Sequence, residues 1–170
     1  MPQPIVITGF MGAGKSTAAS QLAAENGWQL VCLDRTIEKN CGRSIAEIFA
    51  DLGEAGFRQI ESRLLKQVLA DSAEPTIIDA GGGVVLLEQN RLMLKQACVV
   101  FLDTSFDELL RRIKDTGEVR PLLTGLDEEG IRQLWEARRQ IYVNTADFVV
   151  KDMTELSALC SRIVQEVKAK

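Results

Sequence analysis

The chain contains no histidine. That absence excludes Ser-His and Cys-His couples, so any proton acceptor must be a carboxylate, lysine, tyrosine or cysteine. The cysteines, Cys32, Cys41, Cys98 and Cys160, are dispersed without C-x-x-C spacing. With no histidine to join them, they argue against zinc, haem and disulfide frameworks. No apolar run approaches the roughly 18 residues of a membrane span. The opening MPQPIVITGF reaches a glycine loop without the charged leader and apolar core of a signal peptide. A cytoplasmic protein with no membrane partner is the expectation. Internal repeats and Pro/Gly/Ser-rich tracts are also missing, which leaves no sign of a long disordered arm. The net charge of −4 provides no general attraction to nucleic acid. Anions, if handled, must be held locally.

What is present is a 170-residue chain, 46% hydrophobic and 26% charged, which suits one domain over residues 1–170 with a substantial core. Short apolar runs alternate with longer amphipathic ones, the pattern of a parallel sheet covered by helices. Five strands are predicted: Ile5 to Thr8, Leu30 to Leu33, Thr76 to Asp79, Val99 to Leu102 and Phe148 to Val150. Between them, positions such as Ile60, Leu64, Leu65, Val68 and Leu69 form one helical stripe. The segments SIAE at Ser44 and SFDE at Ser105 fit capping boxes, and Gly27 suits a helix C-terminus. The stretch from about 114 to 126 combines Gly117, Pro121 and Gly125 with few periodic apolar positions. It reads as a mobile loop or lid.

The segment from 9 to 17, GFMGAGKST, contains G-x-x-x-x-G-K-[ST] after one strand and before one helix, the context that gives this pattern its meaning as a P-loop. Its backbone N-H groups can cradle phosphates, aided by the positive end of the following helix. Gly12, Ala13, Gly14, Lys15, Ser16 and Thr17 are therefore the candidate ATP-binding residues. Lys15 would bring positive charge to the transferable phosphate, and Ser16 would ligate Mg²⁺. The N-K-x-D base-reading motif of GTPases is absent, and a motor ATPase domain is usually longer. A small-molecule kinase is the leading class.

From CLDRTIEKNCGRSIAEIF through GEAGFRQIE, GGG, RPLL and RRQIY, the chain resembles the shikimate kinases over nearly its whole length. That resemblance implies an α/β fold made of a single P-loop kinase domain. It has a five-stranded parallel sheet, helices on both faces and a mobile lid. The implied reaction is transfer of phosphate from ATP, with Mg²⁺, to a hydroxyl of shikimate, giving shikimate 3-phosphate in aromatic amino-acid biosynthesis. The partners implied are small molecules alone, and a monomer is expected.

The resemblance places a substrate-binding region at about 34–62 and a glycine turn at 81–83. Asp34, in the D-x-x-I-E element, would orient the acceptor hydroxyl and take its proton. It also suits the N-cap of a helix beginning near Arg35. Arg58 and Arg138 match the arginines that hold the substrate carboxylate, with Arg139 as the competitor beside Arg138 and Glu61 one turn after Arg58 as its support. Gly82 is the candidate for close substrate contact. Arg120, opening RPLL in the lid, is the candidate third catalytic residue beside Lys15 and Asp34, contacting the ATP phosphates. Arg112 and Lys114 are open alternatives for packing near adenine.

One position departs from the family. Its usual D-x-D after the second strand is Cys32-Leu33-Asp34 here, and a thiol suits the hard Mg²⁺ ion poorly. Asp79, ending the third strand where P-loop enzymes in general carry an acid, is the candidate to hold the metal through water. It also suits bracing of the glycine turn. Two alternatives stay open: a related kinase for another hydroxylated acid such as gluconate, and a module that binds ATP without transferring phosphate.

Overall fold

A computed structural model describes residues 3–72, 75–116 and 121–168, the side chains of 121 and 162–168 excepted. The strands are β1 (Ile5–Thr8), β2 (Gln29–Cys32), β3 (Thr76–Asp79), β4 (Cys98–Leu102) and β5 (Phe148–Val150). They form one parallel sheet in the order β2-β3-β1-β4-β5. Three of the five predicted spans match residue for residue. β2 sits one residue earlier because Leu33 already begins a helix, and β4 starts one residue earlier, at Cys98.

Every residue of β1 and of β3 is buried. Since successive strand side chains point to opposite faces, both faces of the central sheet are covered. The helices are α1 (Lys15–Asn26), α2 (Leu33–Cys41), α3 (Ile45–Asp71), α4 (Glu88–Leu94), α5 (Phe106–Thr116), α6 (Glu128–Thr145) and α7 (Met153–Lys168). α1 packs against β1, β2 and β3 and meets α7, which packs against β5. Elsewhere α6 lies on β4, α2 on α3, and α3 on α4. No described helix is long and apolar enough to cross a membrane.

Local signals explain the helix limits. Gly27, left-handed at φ 65°, ends α1, and Trp28 N-H returns to Ala23 O at 3.0 Å. At the start of α3, Glu47 N-H donates to Ser44 Oγ and Ser44 N-H to the Glu47 carboxylate, completing the expected capping box. At Ser105 the expected box is replaced. Glu108 accepts instead from Arg111 and Arg112. α3 bends where Gly53 leaves helical geometry. The segment read as a lid is partly ordered secondary structure, because α5 continues through Thr116 and Pro121–Leu123 form a 3-10 turn.

The topology also locates the site. The connection leaving β1 runs toward β2, whereas the one leaving β3 runs toward β4 on the other side of β1. The loops therefore part beyond the carboxyl ends of β1 and β3, where open α/β sheets bind ligands.

Candidate active site

The loop after β1 is shaped for phosphate. Gly14 stands at φ 90° as the N-cap of α1, a left-handed conformation that an L side chain would strain. This turn aims the first N-H groups of α1 outward. Lys15 Nζ donates to Phe10 O at 3.0 Å, folding the side chain across the loop. Thr104, just beyond β4, donates from Oγ1 to Ala13 O at 3.1 Å, and Arg112 Nη1 reaches the same oxygen at 3.0 Å. These two ties hold the Ala13 carbonyl toward α5 and the end of β4.

Three adjoining cavities surround this loop. One, of 520 Å³, brings together Gly12, Gly14, Lys15, Ser16, Thr17, Asp34, Asp79 and Gly82. A second, of 390 Å³, is lined by Asp34, Arg58, Glu61, Gly82 and Arg138, with Phe49, Phe57 and Leu122 on its apolar side. The largest, 1010 Å³, extends from Ala13, Gly14 and Thr17 toward Trp135, Arg139 and Lys151. Asp34 and Gly82 border both smaller cavities. A group held in the second can thus present itself to a phosphate held in the first.

Asp34 reaches this boundary from the first turn of α2. The expected N-cap role is corrected, because α2 starts at Leu33 and the cap position belongs to Cys32. Asp34 is free of that duty and half-buried. Burial pushes its carboxyl above the usual range, Lys15 opposes the shift, and Asp79 adds to it. The result is a carboxylate more basic than an ordinary surface aspartate.

Arg58 and Arg138 are only 6% and 7% exposed. Arg58 is clamped on both sides: Nη1 donates to the Glu61 oxygens at 3.0 and 2.9 Å, while Nε and Nη2 reach Glu54 at 3.3 and 3.2 Å. Burial of Glu61 pushes its pKa to about 7 against the pull of Arg58. Arg138 is the opposite case, since its buried Nη1 has no hydrogen-bond partner among the described residues. Arg139 turns away and forms a two-pronged pair with Asp103 at 2.9 and 2.6 Å. The competitor is thereby kept out of the cavity lined by Arg58 and Arg138.

The glycine turn is fitted around these groups. A Cβ on Gly83 would lie 2.0 Å from Arg58 Nη1, and one on Gly82 would lie 3.0 Å from Gly9 O. Glycine at 83 is thus what admits the Arg58 guanidinium, a constraint that lies one residue beyond the position favoured in the sequence. Asp79, 5% exposed, is directly in register with Cys32 across the parallel pair β2-β3 and shares the phosphate cavity with Ser16. Burial is also the main reason the Cys32 thiol is pushed up.

Arg120 lies outside the described residues. Arg112 does border both the phosphate cavity and the largest one, whereas Lys114 pairs with Glu128 at 3.2 Å. Glu54, Thr104 and Tyr142 escaped the sequence reading. Two of them carried a signal: Glu54 and Tyr142 each stand four residues from a candidate arginine on the same helix, Arg58 and Arg138.

A phosphate loop at the crevice of a parallel sheet, beside a small pocket with paired arginines, defines a P-loop phosphotransferase for a small acidic acceptor. The family model described as shikimate kinase matches residues 11–168. A Streptococcus thermophilus shikimate kinase is 43% identical over 148 residues, covering 85% of this chain and 88% of the relative. One from Synechococcus elongatus is 42% identical over 139 residues, covering 81% and 72%. The solved shikimate kinase from Acinetobacter baumannii, in complex with shikimate, superposes with a TM-score of 0.83 at 31% identity, covering 98% of this chain and 93% of that one. The chain belongs to the shikimate kinase family. A gluconokinase from Sinorhizobium meliloti, with a TM-score of 0.53 and 17% identity, shares the fold alone.

Proposed function

We infer that the protein phosphorylates shikimate at the expense of ATP, and that the two smaller cavities divide acceptor from donor. The observation that carries the division of labour is Arg138: a buried guanidinium that lines a pocket and whose Nη1 has no partner among the described residues calls for an anion. The carboxylate of shikimate would supply it, with Arg58 on the other side. The apolar wall of Phe49, Phe57 and Leu122 suits the carbon face of a ring better than an open-chain polyol such as gluconate.

The acceptor hydroxyl would then lie beside Asp34. Its oxygen attacks the terminal phosphorus of ATP, the bond to the bridging oxygen breaks, and ADP leaves with that electron pair. Asp34 orients the hydroxyl and takes its proton. Lys15 and the N-H groups of residues 12–17 balance negative charge on the phosphates, and Gly82 lets the ring approach the turn. Phosphoryl transfer of this kind depends chiefly on position and electrostatics. Arg120 is proposed to reach the phosphates when residues 114–126 close. That lid reading is supported by Leu122, which already forms part of the acid pocket.

Mg²⁺ would be held by Ser16 with Asp79, through water, and would supply charge neutralisation between the phosphates. The donors fit, because Mg²⁺ accepts one or two carboxylates plus phosphate oxygens, and the Asp79 carboxylate stands in the same cavity as the Ser16 hydroxyl. Cys32, opposite Asp79 in the sheet, has a soft sulfur in its place.

A coupled assay of ADP release tests this reading against both alternatives. Shikimate should drive turnover, a panel of sugar acids including gluconate should not, and Asp34→Asn should lower kcat by about a hundredfold or more. ATP binding without shikimate-dependent ADP release would instead establish a non-catalytic module. For the metal, Asp79→Asn should weaken Mn²⁺ binding to the ADP complex in a paramagnetic titration. Unchanged Mn²⁺ affinity would remove Asp79 from the site.

A further inference from the structure

Tyr142 is the chain's single tyrosine, and it is fully buried in α6 one turn after Arg138. Its ring stacks on Phe101 of β4, with centroids 5.0 Å apart and planes inclined by 17°. A phenylalanine would satisfy that contact equally well. The hydroxyl, however, donates to Gly82 O, in the glycine turn that borders both smaller cavities, and it feels the positive charge of Arg138 one turn back on the same helix. Burial pushes its pKa up to about 12, so the proton needed for donation stays in place at neutral pH.

We propose that Tyr142 is a positioning residue, whose hydroxyl ties the Gly82 carbonyl to α6 and so sets the glycine turn against the Arg138 guanidinium that would hold the acceptor's carboxylate. The proposal rests on the acid-pocket reading above and deepens it. Arg138 and Tyr142 sit on α6 and Gly82 follows β3, elements that are distant in sequence. One hydroxyl links them directly. Removing it leaves the guanidinium charge but frees the glycine turn from the helix that carries Arg138, and an arginine clamp owes its strength to placement as much as to charge.

The test is Tyr142→Phe, assayed for steady-state kinetics, thermal unfolding and calorimetric binding of shikimate and its neutral carboxamide analogue. The expected result is a shikimate KM raised about tenfold, with the KM for ATP within about twofold of wild type. The preference for the acid over the carboxamide should shrink in proportion, a readout that general loosening of the core would not move. Phe101→Leu keeps the hydroxyl and disturbs only the ring stack, so it should lower Tm while leaving the ratio of the two KM values unchanged.

An unaltered acid preference in Tyr142→Phe overturns the proposal. So does an equal rise in both KM values, or loss of the fold, since each would make Tyr142 a purely structural residue. If the wild-type chain fails to turn over shikimate, the functional reading falls instead. The tyrosine can still be judged in that case from binding of the acid and the carboxamide.

Discussion

Gly83 is the residue on which the acid pocket's geometry turns most sharply. The Arg58 guanidinium occupies the space where a Cβ would project, at 2.0 to 2.2 Å from three of its atoms. Gly83→Ala must therefore displace either the turn or an arginine clamped by Glu54 and Glu61. We expect shikimate affinity to fall at least about tenfold while ATP affinity is retained, measured by calorimetry with each ligand separately. Glu61 supplies a second residue-scale prediction. Its folded pKa is about 7 because burial outweighs the attraction of Arg58, against roughly 4.3 for an unperturbed glutamate. Between those values the native chain binds more protons than the unfolded chain. The stability linked to Glu61 is fully present below the unfolded pKa and is lost as pH rises through about 7. Urea unfolding at a series of pH values should show this decline, and Glu61→Gln, which has no proton to lose, should flatten it.

At the scale of elements, the helix ends separate positions that carry structure from positions that carry chemistry. Ser44 forms both arms of the box that starts α3, the helix bearing Arg58 and Glu61. Ser44→Ala should destabilise the protein by about 1 kcal/mol, a fall in Tm of roughly 2–4 °C for a chain of this size. The corresponding change at Ser105 should cost less, because the Glu108 carboxylate is already taken by Arg111 and Arg112. These two segments look equivalent as S-x-x-E patterns. What distinguishes them is the pair of arginines on α5, which compete for the glutamate at short range. At α2 a similar shift has a functional result. The helix begins early enough that Asp34 is not needed as its cap and can face the cavity shared with Lys15.

Across the whole molecule, the two smaller cavities adjoin and share Asp34 but not their cationic anchors: Lys15 lines one, Arg58 and Arg138 the other. Ligand stabilisation should therefore separate. A ligand at about 100 times its Kd adds roughly 2.7 kcal/mol to the stability of the folded state. Lys15→Ala should lose the Tm increase given by ATP and keep that given by shikimate, while Arg138→Ala should do the reverse. Loss of both responses in either variant would show that the cavities form only together.

The sequence by itself determined the strand and helix pattern, because hydrophobic periodicity and local cap chemistry act over a few residues. It also determined the phosphate loop, where the nine residues from Gly9 to Thr17 carry the whole motif. The family pattern further picked out Asp34, Arg58 and Arg138. Only the tertiary structure decided which of two adjacent arginines enters the pocket, that Gly83 makes room for Arg58, and that Asp79 stands opposite Cys32. It alone revealed the Tyr142 hydroxyl bonded to Gly82. Those outcomes depend on where side chains from remote segments meet, and a linear pattern does not encode the distances between them.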